Sequence, residues 1–214
     1  MAEWSTADPK DTMLSLQLAA LQAWLGHDKE LAATRQRILA NAEGTEVAVT
    51  AERAAKVCSL VPSAGKVELD ASIVLARRAV DLGKDNEYLD FFLMALGMAE
   101  YRSGHFAEAE VSLTAAMGHG KCHPHGDGRL TDFVAGTSSF YRAMSLFRQG
   151  KNDEARALAT EAAAKMKPLP KDEQNPMAGG ADHDDLILWL AYKEAKALIG
   201  FDATPAAPAT LDGK

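Results

Sequence analysis

From Leu89 to Met117 the chain reads LDFFLMALGMAEYRSGHFAEAEVSLTAAM, two short apolar-periodic stretches joined at Gly104. Few folds satisfy this spacing. Gly97, Ala109 and Ala116 are small, so two helices built on these stretches can approach closely. Leu96, Tyr101, Phe106 and Leu113 are large enough to fill the space left between them. Gly104 tolerates the left-handed conformation that ends a helix and reverses the chain. The stretch therefore predicts an antiparallel helical hairpin.

The same logic recurs along the chain. LQLAALQAWLGHDKELAATRQRIL places Gly26 between helices of about 12–25 and 28–42, with Asp11 or Thr12 as N-cap. A helical run from Val47 to Val61 stops at Pro62, and a second helix is expected from Leu69 to Leu82. SSFYRAMSLFRQGKNDEARALATEAAAKM repeats the hairpin with Gly150 at the turn and Ala155 and Ala162 as its small packing positions. A proline- and glycine-rich connection, PLPKDEQNPMAGGA, then leads to a last helix over about 182–199 carrying Leu186, Trp189, Leu190, Ala195 and Leu198. Residues 1–11 read as a flexible lead-in, 12–200 as one helical domain, and 201–214 as a disordered tail.

Leu96-Gly97, Ala99, Tyr101, Gly104, Phe106, Ala109, Leu113 and Ala116 together resemble the tetratricopeptide (TPR) repeat. That family's period is about 34 residues. Gly104 follows Gly26 by 104 − 26 = 78 positions, and Gly150 follows Gly104 by 150 − 104 = 46. The first interval holds two repeats and some slack. The second holds one repeat plus the inserted segment 118–130. The resemblance implies an all-α, right-handed α-solenoid of about four hairpins with a C-terminal capping helix. AERAAKVCSL, IVLARRAVDLG and LGMAEYRSGHFAEAEVSL are also similar to the C-terminal TPR regions of large bacterial Ser/Thr protein kinases and WD-repeat proteins. There the array is an accessory module of a signalling protein. The sequence has no glycine-rich nucleotide loop, HRD segment or DFG, so no kinase chemistry is expected, and the resemblance implies a scaffold without enzymatic activity or cofactor.

Composition narrows the partners. A net charge of −7 argues against nucleic acid or an anionic membrane. No apolar run is long enough to span a bilayer, and MAEWSTADPK lacks the regions of a secretory signal. The two cysteines form no disulfide framework: Cys58 falls in an apolar helical pattern and Cys122 in a loop. A cytoplasmic protein is expected.

In the family it resembles, the first helix of each hairpin lines a concave groove that binds a protein or peptide. Aligned on Gly104 and Gly150, that face carries Phe91, Met94, Met98, Tyr101 and Arg102, then Phe140, Met144, Phe147 and Arg148. Lys56 would extend its basic edge. Methionine suits an adaptable surface and arginine suits carboxylates. The same stripe also reads as core between neighbouring repeats, or as a surface for self-association. Trp24 and Trp189 fall near opposite ends of the array and read as packing residues.

The insertion offers an alternative. His119, Cys122, His123, His125 and Asp127 fall close together and are all metal-ligand types. A metal-binding protein using 119–127 is therefore a second reading, beside a plain polar connector. Asp182, His183 and Asp184 could join such a site only if the fold brings them near.

Overall fold

The computed structural model describes residues 11–62, 64–119 and 128–201, and among them it is all-α with no strand. The helices are α1 (Thr12–Leu25), α2 (Asp28–Ala42), α3 (Ala48–Ser59), α4 (Lys66–Leu82) and α5 (Leu89–Arg102). They continue as α6 (Phe106–His119), α7 (Gly128–Arg148), α8 (Asn152–Lys165) and α9 (His183–Ile199). No described helix is long and apolar enough to cross a membrane.

Local signals set the ends. The Asp11 carboxylate accepts from the backbone N–H groups of Met13 and Leu14 at 2.8 and 3.0 Å, capping α1. Gly26, Gly104 and Gly150 have φ of 70°, 81° and 82°. At each, the next residue donates its N–H back into the helix, His27 to Gln22, His105 to Glu100 and Lys151 to Leu146, at 2.9, 2.9 and 3.0 Å. These are three copies of one helix-ending turn. α9 opens on a reciprocal cap. Asp182 accepts from the N–H groups of Asp184 and Asp185, and Asp185 accepts from that of Asp182 at 3.1 Å.

Consecutive helices pack as pairs, α1 on α2, α3 on α4, α5 on α6 and α7 on α8. The odd-numbered helices also pack in sequence order, α1 on α3, α3 on α5 and α5 on α7. At Gly97 in α5 a Cβ would stand 2.4 Å from Leu113 Cγ in α6. The absent side chain is what admits Leu113. Buried Leu16, Leu31, Ile38, Phe92, Met94, Met98, Leu113, Phe140 and Trp189 form one continuous core.

Three expectations need correction. The last helix does not simply cover one end: α9 packs on α7 and α8 and also on α1, at the far end of the row. At Gly136 in α7 a Cβ would stand 2.9 Å from Leu188, so α9 sits hard against α7. The inserted segment is shorter than its composition suggested, because α6 runs to His119 and α7 begins at Gly128. Finally, Phe201 does not belong with the tail: it is buried, stacked 6.5 Å from Phe140 and edge-on to Tyr192 at 6.0 Å. It follows the left-handed Gly200, where an apolar residue commonly folds back onto its helix. Residues 1–10 and 202–214 lie outside the described residues.

Candidate functional site

The face expected to form an open groove is interior. Lys56, Met94, Met98, Tyr101, Phe140 and Met144 are buried, Phe91 and Phe147 are half-buried, and Arg148 alone of the ten is exposed. The expectation that Phe91, Met98 and Arg102 would be accessible is therefore corrected for Met98, which is 0 % exposed, and for Arg102, whose side chain is 3 % exposed. Part of the stripe meets α9 directly. Phe140 meets Tyr192 of α9 edge-on at 5.6 Å.

Arg102 shows how completely the face is used. Its Nη1 and Nη2 donate to the two carboxylate oxygens of Glu194 in α9, at 2.5 and 2.6 Å. Its Nε donates to the Ser59 carbonyl at 2.9 Å, and Nη2 to the Leu60 carbonyl at 3.1 Å and the Tyr141 hydroxyl at 2.9 Å. A guanidinium at the C-terminus of α3 also complements that helix's dipole. Burial works against the charge, but Tyr141 and Glu194 outweigh it and hold the guanidinium above the usual arginine range. Lys56 is enclosed likewise. It pairs with Glu52 one turn earlier, and its ammonium lies 5.2 Å from the Phe91 ring and 5.8 Å from that of Phe133.

Of the metal alternative, Cys122, His123, His125 and Asp127 lie outside the described residues, as does the side chain of His119. The fold does bring Asp182, His183 and Asp184 together, with ligand atoms within 4.8 Å of one another. Both carboxylates are already engaged. Asp182 caps α9 and pairs with Arg129, which holds its carboxyl below the usual range despite burial. Asp184 lies 3.4 Å from His183 Nε2, and burial raises its pKa. The three are neighbours in sequence, and the Asp182 carboxylate already serves the helix cap and Arg129.

Among the described residues, a cleft of about 960 Å³ lies where α6, α7, α8 and α9 converge. Its apolar floor comes from Met117, Leu130, Phe133, Leu158, Met166 and Leu188. Around it stand Arg129 with Asp182, Lys165 with Glu161 at 2.6 Å, and Lys167 with Asp185 at 2.7 Å. Arg142 also lines it. A smaller hollow of about 210 Å³ lies over Tyr101, Arg102, Arg148 and Glu194. Sequence reasoning missed the large cleft because its lining comes from four helices. Small Ala135, Ser139 and Ala162 are part of that lining, but their composition alone does not announce it.

No protein-family model matches the chain, and no curated protein or solved structure matches it either.

Proposed function

We propose that this protein is a non-enzymatic interaction scaffold, a TPR-like right-handed solenoid of four hairpins. Its partner is another protein, and it docks in the α6–α9 cleft instead of on the inner face of the stack. One observation supports the choice: Tyr192 and Glu194 of α9 already engage Phe140 and Arg102 of the expected groove face, whereas the cleft keeps half-buried Met117, Leu130, Leu158 and Met166 together beside solvent. An apolar floor bordered by ion pairs is the anatomy of a protein interface, and methionines on such a floor adapt to a partner's shape. The helical repeat supplies a rigid frame for it.

A photo-crosslinking amino acid at Leu158 or Met117 tests this in the host cell, with the same group at exposed Val111 and Arg148 for comparison. A discrete adduct from the cleft positions alone is expected. An adduct from Arg148 alone would return the binding surface to the inner edge, and equal labelling from all four positions would remove the interaction reading.

A further inference from the structure

Three cations on the rim of the cleft already face carboxylates, but Arg142 does not. Among the described residues no acid pairs with it. Its Nη1 touches only the Met117 sulfur, at 3.9 Å, and its Nε is shut away without any hydrogen-bond partner. The side chain is half-buried, so its charge is partly withdrawn from water without a counter-ion. Such a group is unfavourable unless something else completes it. Met117 on α6 is its one polar-range contact, and the cleft it shares is also lined by apolar Leu158 on α8 and Leu188 on α9.

We infer that Arg142 is the specificity anchor of the cleft, and that it receives a single Asp or Glu side chain set among apolar residues of the partner. This rests on the scaffold reading above. The acid sits end-on against the terminal guanidinium nitrogens, with Met117 moving aside. The flanking apolar side chains cover Leu130, Phe133, Leu158 and Met166. Charge complementarity at Arg142 fixes the sign of the one group it receives; elsewhere the lining offers paired cations and the acids Asp132 and Asp184, which disfavour further carboxylates. A second carboxylate would have to compete with Asp182, Glu161 or Asp185 for a cation already taken. Arginine in an apolar setting is a frequent energetic centre of protein interfaces, and its planar fork suits a carboxylate better than lysine does.

The test uses the full chain and an immobilised array of twelve-residue peptides. Each carries one central Glu flanked by Leu, Phe and Ala, beside an otherwise identical copy with Gln. Wild type should retain a subset of Glu peptides about tenfold better than their Gln copies, as expected for one charge-assisted contact. Arg142→Gln should abolish that preference with an unchanged thermal melt, and Arg142→Lys should restore part of it. Equal retention of both copies, or a preference that survives Arg142→Gln, would overturn the inference. So would peptide retention that appears only on Asp127→Asn, which would make this chain's own segment 120–127 the occupant. A doubled mass in sedimentation that disappears on Arg142→Gln would assign the cleft to a second copy. If Leu158 crosslinks a partner in cells while Glu and Gln peptides bind alike, the scaffold reading stands and only the role of Arg142 falls.

Discussion

Trp24, in the last turn of α1, and Trp189, in the middle of α9, lie with ring centroids 5.8 Å apart and planes inclined by 53°. Each indole N–H donates to a carbonyl of the connection that precedes α9 or the turn leading to it: Trp24 to Glu173 at 2.8 Å, Trp189 to Lys167 at 2.9 Å. Lys193 sits 3.8 Å above the Trp24 ring and 3.2 Å from Glu173. The first and last helices are thus joined through a shared aromatic contact.

That contact sets the first prediction. Trp189→Ala should destabilise the protein by about 3–5 kcal/mol, the range for a large buried aromatic. Trp24→Ala should cost less, because Trp24 is only half-buried. The double variant should fall short of the sum by about 0.5–1.5 kcal/mol, which urea denaturation of all four proteins would measure.

Arg102 and Glu194 give a second. Arg102→Met removes the donor that serves Glu194, Tyr141 and two carbonyls of α3, and should cost about 3–5 kcal/mol. Glu194→Gln should cost less, since Glu194 remains 22 % exposed and its oxygen can still accept. Chemical denaturation in which Glu194→Gln proved the more damaging would contradict this geometry.

Gly97 gives a third. Gly97→Ala would place a methyl group 2.4 Å from Leu113 Cγ and should destabilise by about 1–3 kcal/mol through overpacking. Adding Leu113→Val should recover part of that loss. Thermal melts of the two single variants and the pair would show it as non-additivity.

A fourth concerns pH. Burial raises the pKa of Glu100, with the Ser112 hydroxyl donating to it at 2.7 Å and partly opposing the rise. The folded state therefore binds this proton more readily than the unfolded state. The stabilisation is fully present below the ordinary carboxyl pKa of about 4.3 and is lost as pH rises through the folded value. Glu100→Gln should accordingly be more stable than wild type at neutral pH, with the advantage shrinking toward pH 4. Urea midpoints across that range would decide it.

Cys58 gives a fifth. It is fully buried, and burial drives its thiol up to about 12 in spite of the nearby Arg35 charge. Little thiolate exists at neutral pH, so iodoacetamide should modify Cys58 only as fast as the fold opens. Labelling at the rate of a free thiol in native protein would contradict that.

Much of the architecture is legible in the sequence, and the reason is local. Asp11, Gly26, Gly104 and Gly150 each act through hydrogen bonds within one helical turn, so the residue alone announces the boundary. Gly128 marks the limit of that method: glycine-rich composition around it read as loop, but it begins α7. The destination of α9 was beyond reach for a different reason. Its periodic Leu186, Trp189 and Ala195 show that one face is apolar and say nothing about which helices it meets. Met94, Met98, Phe140 and Met144 were ambiguous in the same way, because a groove lining and an interior use the same residues. Only the packing of the neighbouring helices decides between them, as where Tyr192 of α9 meets Phe140. Arg142 carried no signal at all, since its isolation depends on where every neighbouring carboxylate finds its own partner.

The junction of α1 with α9 has a consequence during synthesis. A stack whose units touch only their neighbours can order itself progressively as it leaves the ribosome. Here the surface of α1 that holds Trp24 waits for the last helix to emerge, and until then its apolar residues face water or a chaperone. Closing that long chain segment is also an entropically slow step. The α1–α9 junction therefore forms late, once α9 itself has been made.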